Sequence, residues 1–148
     1  MRLIISVLML IIAAGSAQSQ ALVTRESKFS VKETLDRLAA EIEKRGMKVA
    51  ARIDHAAGAK AVGMDMPPAE VVMFGNPKLG TPLMLSAPSI AIDLPMKMIA
   101  WQDKADKVWI GYTAPETLKE RYRITDRDEV FKTMAGALDG LAKAAAGQ

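Results

Sequence analysis

Apolar residues recur along this chain with two periods, a helical one of three to four residues and an alternating one of two. One helical stripe follows Ser30 and consists of Val31, Leu35, Leu38 and Ile42. Ser30 and Glu33 have the spacing of an N-terminal capping box, and Gly46 can end the helix in the left-handed conformation. The pattern therefore predicts a helix from Ser30 to Gly46 that packs one face against an apolar layer.

A second helical stripe follows the capping sequence Thr125-Asp126-Arg127-Asp128 and consists of Val130, Phe131, Met134, Leu138 and Leu141. A shorter helix is predicted at Pro115–Tyr122. Compact or alternating apolar segments predict five strands, at about residues 22–29, 48–55, 71–74, 96–103 and 107–113. This order of one strand, a long helix, several strands and a long helix indicates an α+β fold, with the helices packed on one face of an antiparallel sheet.

The last two strands form a predicted hairpin with apolar residues on both sides. Met98 and Ala100 share one phase of the first strand, whereas Ile99 and Trp101 share the other. One helix layer can bury only one of these sides. The second side is covered by a partner chain or forms a patch of a size that monomers rarely expose. The sequence therefore predicts a homodimer.

Residues 1–21 have the pattern of a secretory signal peptide. Arg2 precedes an apolar run from Leu3 to Ala14, and small and polar residues follow, with cleavage expected after Ala17 or Ala21. The run is shorter than the roughly 20 apolar residues that span a bilayer, so no membrane association is expected after cleavage. Residues 22–148 are then expected to form one α+β domain in the periplasm or outside the cell.

Composition narrows the possible chemistry. The chain contains no Cys, which excludes disulfides, thiolate catalysis and Cys-ligated metals. Without Arg2, 19 basic residues stand against 17 acidic ones. Charges of both signs are interleaved, as on a solvated helix face, and this near balance argues against nucleic acid as a partner.

Four sequence blocks together carry a family resemblance. They are Ile53-Asp54-His55, the geometry-rich stretch from Phe74 to Met84, Ala91-Ile92-Asp93-Leu94-Pro95-Met96-Lys97 and Val108-Trp109-Ile110. In this order, the blocks resemble the family of domain of unknown function 302, from about Phe29 to Ile124. The resemblance implies a β-α-β-rich-α arrangement similar to the TATA-binding-protein-like, or helix-grip, architecture, in which a cavity often lies beneath the long helix. The family has no established activity.

His55 is the only histidine and the candidate catalytic residue. Imidazole titrates near neutral pH and can act as a general acid or base. Adjacent strand residues point to opposite faces, so Asp54 is poorly placed to orient the ring, and Asp93 is the second candidate. In the alternative interpretation, His55 closes its strand by bonding to a loop. Alternation places it on the core side with Val49 and Ile53.

Asn76, Lys78 and Thr81 are candidate ligand-binding residues. Asn76-Pro77 and Thr81-Pro82 each combine a helix-capping side chain with proline, which predicts two short helical turns. Free amide groups at these helix starts, together with Lys78, could hold a carboxylate or a phosphate. Capping alone explains Asn76 and Thr81 equally well.

Asp93, Lys97 and Trp101 complete the candidate set. Lys97 shares the strand phase of Trp101, and a lysine on an apolar side needs a partner, for which Asp93 is the nearest candidate. The pair is predicted to be a structural salt bridge. A desolvated Lys97 could instead act as a nucleophile or a base.

Ten Met residues include the pairs Met64 with Met66 and Met96 with Met98. Thioethers two residues apart could bind copper, with His55 as a further ligand. Filling of gaps in the core is the favoured role, because Met is flexible and apolar. Neither a metal nor a cofactor is predicted.

The leading hypothesis is an exported module that binds a small, partly apolar ligand between its sheet and a long helix. His55, the loop from Asn76 to Thr81 and Trp101 are expected to line that site. One alternative is an enzyme that uses His55 as its acid-base residue. The other is a structural dimer that binds a partner protein.

Overall fold

The computed structural model describes residues 22–148, and the predicted signal peptide lies outside these residues. The elements, in chain order, are β1 (Val23–Ser27), α1 (Val31–Lys44), β2 (Lys48–Asp54), α2 (His55–Ala61), β3 (Ala69–Gly75), α3 (Pro77–Ser86), a 3-10 helix (Pro88–Ile92), β4 (Met96–Gln102), β5 (Val108–Tyr112), α4 (Pro115–Tyr122) and α5 (Asp128–Ala146).

The five strands form one antiparallel sheet in the order β1-β5-β4-β3-β2. The helices α1 and α5 pack against each other and against one face of this sheet. The core between them is largely apolar and includes Leu35, Leu38, Ile42, Val72, Met98, Ile110, Leu138 and Leu141. The α+β fold with helices on one face of an antiparallel sheet is therefore confirmed.

The Ser30 cap and the Gly46 stop are both present at the ends of the first long helix. The Ser30 side chain accepts a hydrogen bond from the Glu33 amide at 3.2 Å, and Gly46 adopts a φ of 73° just after the helix. The outer side of α1 is tied to the sheet through Arg52 of β2, which bonds Asp36 and Glu70. These contacts fix the helix over the β2–β3 edge.

A β-bulge in β2 reverses the predicted phase of its side chains. The pairing with β3 shifts between Val49, which pairs with Phe74, and Ala51, which pairs with Met73. Phe74 is buried under the helices, whereas Ile53 is 44% exposed. The prediction that Ile53 and His55 share the core side with Val49 is wrong, because one extra residue turns every later side chain to the opposite face.

Two short helices differ from the sequence analysis. The sequence analysis predicted no helix directly after β2, but His55–Ala61 is helical, and the Asp54 side chain caps it by accepting from the Ala57 amide at 2.9 Å. The two predicted turns at Asn76 and Thr81 are one continuous helix, α3, with Pro82 inside it. Of the two predicted caps in this segment, Asn76 acts as one, whereas Thr81 lies inside the helix.

The sheet face opposite α1 and α5 carries apolar side chains, as the two-phase hairpin predicted. Trp101 of β4 pairs with Trp109 of β5, and Ile99 pairs with Val71 of β3. These side chains are partly exposed, and Ile53 continues the patch onto β2. We call this surface the open face.

We predict that Leu35→Ala lowers the free energy of unfolding by about 2–5 kcal/mol, the usual cost of a cavity in a core. Leu35 is 0% exposed at the centre of the core between α1 and the sheet. Denaturant titration followed by circular dichroism measures the change.

Leu85→Ala is the matched control, because the same atoms are removed from a side chain that is 76% exposed. Its effect is expected to stay within about 0.5 kcal/mol. If both variants lose the same free energy of unfolding, the placement of Leu35 in the core is wrong.

Candidate functional site

A cleft of about 760 Å³ opens at the end of the sheet where α3 and α5 meet the turn between α1 and β2. Twenty residues line it, and they are Gly46, Met47, Lys48, Ala50, Phe74, Gly75, Asn76, Pro77, Leu79, Gly80, Thr81, Met84, Ala91, Leu94, Pro95, Met96, Met134, Ala137, Leu138 and Leu141. Most of them are apolar. The cleft lies between the sheet and the long helix α5, which is the position that the leading hypothesis gave to a ligand.

The floor and the walls of the cleft differ in burial. Phe74, Leu138 and Leu141 form part of its floor and belong to the buried core. The walls include Met47, Leu79, Met84 and Leu94, which pack against the core but stay partly exposed. The cleft is therefore continuous with the core and lined by apolar side chains that still contact solvent.

Close packing accounts for one glycine in the stretch from Phe74 to Met84. A Cβ atom on Gly75 would lie 3.2 Å from the Pro95 Cβ, which is tighter than an ordinary contact. A Cβ atom on Gly80 would lie 3.6 Å from Leu94, which is an ordinary contact. Gly75 therefore lets the end of β3 approach Pro95, and both residues line the cleft.

The start of α3 does not offer the free amide groups that were expected. The Asn76 side-chain oxygen accepts from the Lys78 amide at 3.0 Å. The Asn76 carbonyl oxygen accepts from the amides of Leu79 and Gly80 at 2.9 and 3.0 Å. Asn76 and Thr81 line the cleft, whereas Lys78 is exposed beside it. The first amides of α3 are therefore already bonded within the helix.

His55 lies at the other end of the sheet. Lys48, at the cleft, pairs with Gly75, whereas Asp54 pairs with Glu70 six residues further along β2. At about 3.3 Å per residue, this separation is about 20 Å. His55 begins α2 and is exposed. The structure therefore does not bring His55 and the loop from Asn76 to Thr81 into one cleft.

Asp93 and Lys97 have separate partners. The Asp93 carboxylate accepts hydrogen bonds from the Tyr122 hydroxyl at 2.6 Å and from Arg121 at 2.8 Å. Partial burial raises the pKa of Asp93, but the bonds from Tyr122 and Arg121 outweigh it and hold the pKa below its ordinary value. Exposed Lys97 donates to the carbonyl oxygens of Asp93 and Pro95, each at 3.3 Å. The predicted salt bridge between the two side chains is not formed.

Trp101 and the paired methionines also lie apart from the predicted arrangement. Trp101 is on the open face and does not line the cleft. Met96 and Met98 are buried on the helix side of β4, whereas Met64 is 66% and Met66 42% exposed in the segment before β3. The structure therefore does not gather these four thioethers and His55 into one group.

Sequence reasoning missed most of the residues that line the cleft. Met47, Met84 and Met134 come from the α1–β2 turn, α3 and α5, and none of them has a spacing that distinguishes it from an ordinary core residue. Lys48 stands at the start of a strand and resembles any solvated lysine. No local signal marks these residues, because they meet only when α1, α3 and α5 pack together.

Comparison with known proteins gives relatives at two levels of similarity. Fluoride-specific ion channel FluC 1 of Brucella suis biovar 1 is 42% identical over 134 residues, which are 90% of this chain and 53% of that protein. FluC 1 of Brucella abortus biovar 1 is also 42% identical over 134 residues, with 90% of this chain and 50% of that protein covered. This chain thus spans about half the length of the curated relatives it matches.

No helix among residues 22–148 is long and apolar enough to cross a membrane. The crystal structure of an uncharacterized conserved DUF302 protein from Bacillus stearothermophilus has the same fold. Its TM-score is 0.76 at 18% identity, with 84% of this chain and 97% of that chain covered. Residues 23–141 match the family described as "Domain of unknown function DUF302". The sequence blocks, the antiparallel sheet under two helices and these matches agree, and the chain belongs to the DUF302 family.

Proposed function

We propose that this chain is an exported, single-domain protein that binds a small, largely apolar ligand in the cleft between α3 and α5. One observation carries the proposal, namely a mostly apolar lining around about 760 Å³ of open space. Small-molecule sites have volumes of about 300–1,000 Å³, with apolar walls and a few polar groups that orient the ligand. Lys48, Asn76 and Thr81 are such polar groups here.

The partly exposed walls supply a driving force for binding. Met47, Leu79, Met84 and Leu94 keep apolar surface in contact with water while they pack against the core. Removal of apolar surface from water is worth about 25 cal/mol per Å². An apolar ligand that fills the cleft covers these side chains, so its binding free energy comes mainly from burial.

Catalysis by His55 is the alternative from another class of function, and the geometry favours it less. His55 is exposed and lies about 20 Å from the cleft, by the rise of about 3.3 Å per strand residue. Acid-base catalysis needs a hydrogen-bonded contact with the reacting group or one bridging water. A ligand in the cleft is out of reach of the imidazole ring.

Export rests on residues 1–21, in which a short apolar run after Arg2 is followed by small residues suited to cleavage. Ion conduction is not part of the proposal. The relatives named as fluoride-specific ion channels are about twice as long as the matched region. That name describes the whole relative, whereas this chain is similar to only about half of its length.

A second candidate function is self-association through the open face. Ile53, Val71, Ile99, Trp101 and Trp109 form a partly exposed apolar surface across four strands. Four strands about 4.8 Å apart and about 20 Å long give a footprint of about 400 Å². A standard interface buries about 800 Å² on each partner, so we expect a weak dimer that depends on concentration.

We predict that the protein binds the neutral fluorophore N-phenyl-1-naphthylamine and that Ala137→Trp weakens this binding by at least about tenfold. Ala137 lines the cleft from α5, and an indole ring there occupies space that the ligand needs. A tenfold change corresponds to about 1.4 kcal/mol, roughly the burial of two methylene groups. Fluorescence titration gives the affinity.

Ala40→Trp on the exposed side of α1 is the matched control for the Ala137 variant and is expected to bind normally. His55→Ala is also expected to bind normally, because the imidazole lies at the far end of β2. Equal affinities for the Ala137 and Ala40 variants, with both folded, would overturn the cleft as the binding site.

The proposed export predicts that mature protein begins between Gln18 and Leu22, and native mass spectrometry of exported protein measures this first residue.

We predict that sedimentation velocity shows association of the protein as its concentration rises, and that Ile99→Lys abolishes it. Ile99 lies in the central strand β4, on the open face, where a buried, unpaired charge in each partner opposes docking. Leu85→Lys, which adds the same charge to an exposed position of α3, is the control. If the protein stays monomeric at every concentration at which it is soluble, self-association through the open face is wrong.

A further inference from the structure

The charge around the cleft indicates which class of ligand it takes. Lys48 is the one charged residue among the twenty that line the cleft, and the lining contains neither Asp nor Glu. Lys48 is exposed, and among residues 22–148 its ammonium group has no ion-pair or hydrogen-bond partner. An unpaired cation beside an apolar volume complements a ligand with an apolar body and an anionic group.

The cleft lining also includes two residues with hydrogen-bond donors. The oxygen of the Asn76 side chain is bonded to the Lys78 amide at 3.0 Å, which leaves the side-chain NH₂ group as a donor. Thr81, on the next turn of α3, is exposed and carries a hydroxyl. Both residues line the cleft. A ligand with an anionic group can therefore accept hydrogen bonds from Asn76 and Thr81 as well as pair with Lys48.

Four methionines line the apolar part of the cleft. They come from four separate segments of the chain and are Met47, Met84, Met96 and Met134. Unbranched thioether side chains adapt to ligands of variable shape, as a flexible chain requires. Thioethers also bind soft metal ions, but about 760 Å³ is roughly 25 times the volume of one water molecule, about 30 Å³. An organic chain fills this space and a single ion does not.

We propose that the ligand is a linear amphiphile with one anionic head group, of the long-chain carboxylate class. Its chain contacts the methionines and the core floor, and its head group pairs with Lys48 and accepts hydrogen bonds from Asn76 and Thr81, which all line the cleft. This inference rests on the proposed ligand-binding function and adds to it the sign of the head group's charge and the linear form of the apolar part.

The test compares three ligands with the same chain and different heads, namely dodecanoate, dodecanol and dodecylammonium. Each displaces N-phenyl-1-naphthylamine at neutral pH, below the concentration at which micelles form. Dodecanoate is expected to bind about two- to fivefold more tightly than dodecanol, the size of one exposed ion pair. Dodecylammonium is expected to bind most weakly, and high salt is expected to reduce the differences.

Substitutions of Lys48 assign the effect to its charge. Lys48→Gln is expected to make dodecanoate and dodecanol equal, and Lys48→Glu is expected to reverse their order. Lys104→Gln in the β4–β5 turn removes the same charge from a residue outside the cleft lining and is expected to retain the preference for dodecanoate. Binding of the neutral fluorophore by each variant shows that the cleft is still formed.

The outcomes separate the two proposals. If neither the fluorophore nor any dodecyl compound binds, the proposed ligand-binding function is wrong. If all three compounds bind with equal affinity, or if Lys48→Gln retains the preference for dodecanoate, the cleft binds apolar ligands and the anionic class is wrong. Tighter binding of dodecylammonium than of dodecanoate would also overturn the inferred class.

Discussion

The packing of α1 and α5 on a single face of the sheet is the constraint on which the rest of the structure depends. It determines which face of the sheet is buried, and it leaves the opposite face uncovered by these helices. It also supplies part of the floor of the cleft, because Leu138 and Leu141 belong both to the core and to the cleft lining. Interiors are close-packed and resist deformation, so the floor of the cleft is a rigid surface.

The walls of the cleft are a different kind of structure from its floor. Met47, Met84 and Leu79 are partly buried and come from the α1–β2 turn and from α3. Side chains that contact the core on one side and solvent on the other can change rotamer at small cost. A rigid floor with adaptable walls suits the binding of a flexible apolar group, and a bound ligand stabilises the folded state by mass action.

The sheet also separates the candidate features in space. The cleft lies at the Lys48–Gly75 end of the β2–β3 pair, and His55 lies past the Asp54–Glu70 end. Trp101 and Trp109 lie on the open face, away from both helices. Ligand binding in the cleft and self-association through the open face therefore use different surfaces, and each can be changed by substitutions that leave the other intact.

Local patterns were sufficient to predict the elements whose signals lie within a few residues. The cap at Ser30, the left-handed Gly46, the β4–β5 hairpin and the α4 helix are all present at the predicted positions. Their causes are hydrogen bonds between near neighbours and the period of the buried side chains, which a sequence carries directly. The family blocks likewise indicated the α+β fold, because they span most of the domain.

Tertiary packing decided the facing of β2 and the composition of the cleft. One bulge between Val49 and Ala51 moved Ile53 to the open face, and nothing in the residues themselves marks where an extra residue enters a ladder. Asn76 and Thr81, two candidates of the sequence analysis, line the cleft from the cap and the interior of α3, but Met47, Met134 and Lys48 reach the same cleft from distant parts of the chain. By itself the sequence determined the helices, the hairpin and the apolar faces, since these depend on local periodicity. Only the folded structure decided which faces meet, because that depends on contacts between residues far apart in the chain.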